Sequence, residues 1–107
     1  MKSSKKKRIE AAGFTIGTVQ EFLRLSDGEM ALIDLKVRLV EMLKRVRTAS
    51  GITQQALAKK LGSSQSRVAK IEAGGADVSL DLICKALFAL GVSRRALGKV
   101  IASKRAA

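Results

Sequence analysis

The sequence predicts an all-α fold, and three observations carry that prediction. Residues that lose little on entering a helix (Ala, Leu, Lys, Arg and Glu) dominate, and proline is absent. Apolar residues recur at helical spacing from Met30 through Ile33, Val37, Val40 and Leu43, with Leu39 and Val46 beside them. Serine, threonine and glycine stand where helices would open and close.

The elements follow in chain order. Lys2, Lys5, Lys6, Lys7 and Arg8 form a basic tail, residues 1–12, too self-repelling to fold alone. It reads equally well as a solvated end or as an arm on phosphate. Gly13 and Gly17 mark a joint. Thr18 and Glu21 match a capping box, in which each side chain satisfies the other's free backbone N–H. A short helical extension over 13–30 is expected there, with Val19, Phe22 and Leu23 on one face. Ser26 and Glu29 repeat the box and open a long helix to about Ser50, where Gly51 suits the left-handed residue that ends a helix. Thr53 caps a helix from Gln54 to Leu61, and Gly62 breaks it. Ser63 or Ser64 caps the next, to about Ala73, with Gly74 and Gly75 at its end. Ser79 caps a fourth that turns Leu80, Ile83, Leu87 and Leu90 inward, and Gly91 stops it. Ser93 caps a last helix through Ile101. The expected architecture is a five-helix core over 31–103, followed by a tail over 104–107.

Composition narrows the function. Among 107 residues, 21 Lys and Arg stand against 9 Asp and Glu, a net charge of +12. So basic a surface attracts polyanions, nucleic acid before anionic membrane. The single cysteine, Cys84, excludes an internal disulfide and a cysteine-only metal site. Histidine is absent, which removes the commonest general base and metal ligand. No Gly-rich phosphate loop occurs. An enzyme is therefore not expected, and neither is a cofactor or a metal. The apolar runs are too short for a bilayer, and the basic start is a poor secretory signal. A cytoplasmic protein, held at the nucleoid through DNA, is the expectation. Cys84, Met30 and Met42 read as core packing.

The two short helices joined at Gly62 are the candidate site. Leu57, Ala58 and Leu61 share one face of the first, and Ala58 is small where the second must cross. Val68 and Ile71 anchor the second. At about 100° per residue, its opposite face presents Gln65, Ser66, Ala69, Lys70 and Ala73. That face is narrow and polar enough for a groove about 12 Å wide.

These residues resemble the helix-turn-helix of the Xre family of phage-type repressors. The resemblance runs from about Leu35 to Leu97. Gly62, apolar Leu57, Leu61, Val68 and Ile71, small Ala58 and the ending Ile71-Glu72-Ala73-Gly74 fall in register. Ser63 departs, because the family often places Val there. The resemblance implies that Gln54 contacts phosphate and braces the next helix, and that Ser64 caps that helix and touches the backbone. Gln65, Ser66 and Lys70 would reach base edges. Arg67, at the border of the face, is expected on phosphate. Arg47 and Glu72 match a buried structural ion pair. Asp77 stands where many members carry a phosphate-gripping Lys or Arg.

A sequence-specific transcriptional regulator, a homodimer on double-stranded DNA, is the leading reading. The alternative is an antitoxin that binds both operator DNA and a small basic toxin of the RelE type, since the segment from Phe14 to Leu32 resembles antitoxin extensions. A membrane-surface role would need a basic amphipathic helix with aromatic anchors, which is missing.

Overall fold

The computed structural model describes residues 21, 23–74 and 78–103. The basic tail, the joint at Gly13 and Gly17, the Thr18 cap, Gly75, Asp77 and the tail over 104–107 lie outside them. Five helices follow in order: α1 (Asp27–Ala49), α2 (Gln54–Leu61), α3 (Gln65–Glu72), α4 (Leu80–Ala89) and α5 (Arg94–Ala102). No strand occurs among the described residues. The fold is all-α, as expected. The chain divides into two units at Asp34 and Leu35.

In the first unit, Glu21 and Leu23 are helical. The Ser26 box forms in full. Ser26 N–H donates to Glu29 Oε1 at 3.0 Å, and Glu29 N–H donates to Ser26 Oγ at 3.1 Å. Those bonds hold the Glu29 carboxyl below the usual carboxylate range. Met30 is buried, but Ile33, on the same helical stripe, is 41% exposed. Its spacing puts it on the apolar side of α1. Periodicity says which side a residue occupies, not whether another element covers it.

The second unit holds the core. Leu39, Leu43, Leu57, Val68, Ile71, Ile83 and Leu87 are fully buried. Each contributes about 1.5–3 kcal/mol by leaving water. Met42 is buried with them, while Cys84, Leu80 and Leu90 pack partly buried against the cluster. Burial, then the charge of Asp81, pushes the Cys84 thiol up, which keeps it protonated. α2 packs on both α3 and α4.

Local chemistry sets the boundaries. Thr53, Ser64, Ser79 and Ser93 each accept a backbone N–H three residues on, at 3.0–3.2 Å. Of the two serines offered before α3, Ser64 is the cap. Gly62 at φ 64° ends α2, and its successor Ser63 donates to Ala58 O at 2.8 Å. A Cβ at Gly62 would meet nothing within 4 Å, so the position requires left-handed backbone rather than space. At the far end of the chain, Arg38 donates to the carbonyl and hydroxyl oxygens of Ser103, tying the end of α5 to α1.

Candidate nucleic-acid interface

The site is built on the α2–α3 pair. Leu57 and Ala58 of α2, and Val68 and Ile71 of α3, are buried. Anchoring α3 on that side leaves Ser64, Gln65, Ser66, Arg67, Lys70 and Ala73 exposed. Ala69, expected on the outward face, is half-buried: the polar face is narrower than spacing alone suggests.

The N-terminus of α3 is finely arranged. Ser64 Oγ accepts from Arg67 N–H at 3.2 Å and lies 3.2 Å from Ser66 Oγ. Neither α2 nor α3 carries an acidic residue in its first turn, and both caps are uncharged hydroxyls. By contrast α1 opens with Asp27 and Glu29, and α4 with Asp81. α5 likewise opens on a hydroxyl cap with no acidic residue, so the uncharged opening is shared by α2, α3 and α5 and leaves the positive dipole end of α3 without a carboxylate of its own helix. Beside α3 lies an open groove of about 390 Å³, with Ile71, Val78 and Leu82 as its floor and Ser64, Ser66, Arg67 and Lys70 as its rim. A second shallow groove of about 550 Å³ is lined by Arg47, Thr53, Gln54, Gln55 and Gln65.

Behind the exposed face runs a chain of polar contacts. Arg47 Nε donates to Glu72 Oε2 at 2.5 Å, and Arg47 Nη2 donates to Glu72 Oε1 at 2.8 Å. Arg47 Nη1 donates to the carbonyl of Ile52 at 2.8 Å. The two charged side chains are 11% and 3% exposed, so the pair is largely withdrawn from water. Burial alone would raise the Glu72 carboxyl. The hydrogen bonds from Arg47 and Gln54, with the charges of Arg47 and Lys44, outweigh it and hold the group below the usual carboxylate range. The same bond to Glu72 holds the Arg47 guanidinium above its ordinary value. Gln54 Nε2 donates to Glu72 Oε1 at 3.1 Å, and Gln65 Nε2 donates to Gln54 Oε1 at 2.8 Å.

The structure thus brings Arg47, Glu72, Gln54 and Gln65 into one line, and sets Ser64, Ser66, Arg67 and Lys70 around one groove. The resemblance has Gln54 brace α3 without naming a partner, and the Gln54–Glu72 bond is the part that spacing does not give. Its residues stand 18 apart, and nothing in spacing pairs an amide with a carboxylate already engaged by arginine.

The family model for helix-turn-helix proteins matches residues 43–97, just over half of the chain. The chain belongs to the Xre-type, phage-repressor-like helix-turn-helix family. In this helix-turn-helix protein the matched span takes in the end of α1, α2, Gly62, α3, α4 and the first turn of α5, which carries buried Leu97. Family membership makes it a DNA-binding protein, of which α2 and α3 form the helix-turn-helix. No solved structure matches the chain. No helix among the described residues is long and apolar enough to cross a membrane.

Proposed function

We propose that this chain is a sequence-specific transcriptional regulator, a repressor that lays residues 64–73 in the major groove of an operator. The observation that carries the reading is the exposed polar face of α3, held on buried Val68 and Ile71 beside an uncharged, open helix N-terminus. Gln65, Ser66 and Lys70 read base edges. The amide of Gln65 suits the donor and acceptor of adenine, and the ammonium of Lys70 suits the acceptors of guanine. Ser64, Gln54 and Arg67 hold phosphate and fix register. Arg47 and Glu72 join α1 to the end of α3 and keep the reading helix in place. Repression is steric: a symmetric dimer occupies a palindromic operator and blocks polymerase.

Selection of bound duplexes from a random pool tests this directly. The expected product is a palindrome whose half-site centres lie about 34–36 Å apart. Recovery of no shared sequence would refute specific reading, and recovery of a single unpaired site would refute the dimer.

A second reading, an antitoxin that also binds a small basic toxin, is favoured by the exposure of Leu23, Leu32 and Ile33 in the first unit, at 55%, 44% and 41%. Apolar side chains left open in this way suit a protein partner. A small basic toxin gene beside this reading frame, and co-purification of the two products, is the expected outcome of that reading.

A further inference from the structure

We propose that Glu72 is a positioning residue for base choice, acting through Gln54 on Gln65, in addition to joining α1 to α3. The inference rests on the reading of Gln65 as a base contact.

The argument is one of donors and acceptors. An ionised carboxylate only accepts hydrogen bonds, whereas a glutamine amide has one donor side and one acceptor side that can exchange by rotation about its last bond. Glu72 is ionised, because Arg47 holds it with two hydrogen bonds of 2.5 and 2.8 Å. Gln54, at 3.1 Å from Glu72 Oε1, must therefore turn its NH2 group to that carboxylate. Its carbonyl oxygen is then the atom that faces Gln65. That oxygen only accepts, so Gln65 must turn its own NH2 group to Gln54, at 2.8 Å. What Gln65 has left for DNA is one N–H and its carbonyl oxygen, side by side. That pair matches the N7 acceptor and N6 donor of adenine, while the two acceptors of guanine would set oxygen against oxygen. Without the carboxylate no group of the protein fixes Gln54, so it can rotate and Gln65 can follow it until a DNA phosphate meets Gln54, and the amide no longer enters the groove with a fixed sense.

Gln54 and Glu72 are half-buried and Gln65 is exposed, so the line runs from the covered ion pair to the surface that meets the groove. The same bond that makes Glu72 structural makes it directional.

The test is a ratio. The full chain is titrated with operator duplexes that carry each of the four base pairs at the position sensitive to Gln65→Ala. The parent should prefer adenine there by on the order of tenfold or more, the scale of one good bidentate contact. Glu72→Gln replaces the acceptor-only carboxylate with an amide that tolerates either sense of Gln54. It should lower that preference several-fold while preferences elsewhere in the half-site stay as in the parent. Loss of folded protein alone weakens every duplex alike and leaves the ratios untouched. Gln54→Met cuts the line one step later with the ion pair intact, and should lower the same ratio even if Glu72→Gln does not fold. Arg47→Lys keeps the carboxylate ionised and should keep the ratio while costing stability. An adenine preference unchanged in Glu72→Gln or in Gln54→Met overturns the proposal, provided Gln65→Ala abolishes it. If Gln65→Ala changes the preference at no position of the half-site, the reading of Gln65 falls, and the proposal falls with it.

Discussion

Replacing Glu72 by Ala removes three hydrogen bonds at once: two from Arg47, at 2.5 and 2.8 Å, and one from Gln54 at 3.1 Å. Among the described residues, Arg47 then keeps its bond to the carbonyl of Ile52. Removing one partner of a buried ion pair costs about 3–5 kcal/mol, because the other charge stays behind without compensation. Here the arginine side chain is 11% exposed and keeps one acceptor, so the lower end applies. The expected loss is about 3 kcal/mol, which for a domain of this size lowers the melting temperature by roughly 12–24 °C. Thermal unfolding followed by far-ultraviolet circular dichroism, with urea titration at neutral pH, reads both. The difference should also depend on pH. The Glu72 carboxyl is held below its ordinary value of 4.5 in the folded chain. Its contribution is thus complete above that value, and is lost as the pH falls through the lowered folded value. Parent and variant should therefore converge in acid. A variant that melts within a degree or two of the parent at neutral pH, or a difference that grows in acid, would refute the reasoning.

Other substitutions separate the roles assigned to the face of α3. Gln65→Ala should cost about 1–3 kcal/mol on the operator and relax choice at one position per half-site, with nonspecific binding almost unchanged. Equal weakening on operator and random duplexes would show that this side chain does not read bases. Arg67→Ala should weaken all sequences alike and shallow the salt slope by about one in a titration of affinity against salt. If six to ten phosphates are neutralised, the parent's affinity should fall by roughly 10³–10⁵ between 50 and 200 mM salt, and a flat response would exclude a phosphate-dominated interface. Gly62→Ala places a side chain at φ 64° and should cost about 1–2 kcal/mol in urea unfolding, with no gain from contacts because none lies within reach.

The parts legible in the sequence are those decided by chemistry within a turn or two. Thr53, Ser79 and Ser93 cap helices because their hydroxyls reach an N–H three residues on, and Gly51, Gly62, Gly74 and Gly91 all sit at positive φ. The inward stripe of α3 was equally plain, since Val68 and Ile71 stand three apart between polar residues. What spacing could not give was coverage. α1 has 23 residues, roughly 35 Å at 1.5 Å each, whereas α2 and α3 have eight, roughly 12 Å. A stripe along so long a helix says nothing of which turns are overlaid, and Ile33 is a position where the stripe continues without burial. Nor could spacing give contacts made by long side chains across the fold. Arg38 reaches Ser103 over 65 residues, and the amide of Gln54 finds Glu72, through geometry that exists only once the helices are packed.

The uncharged openings of α2 and α3 set stability and function against each other. An acidic residue near a helix N-terminus stabilises that helix by about 0.3–1 kcal/mol, and Asp caps about as well as Ser. Any screen that scores heat resistance alone would thus favour Ser64→Asp, and with it acidic residues in the first turn of α3. Each such gain would put a negative charge on the face proposed to meet the DNA backbone. A variant library sorted first for melting temperature and then for operator binding should show the two rankings running in opposite directions at Ser64, while at Ser79, whose helix already carries Asp81, they should run together. On the proposed function, the uncharged openings of α2 and α3 keep a modest reserve of unused stability at the surface where a carboxylate would turn the polyanion away.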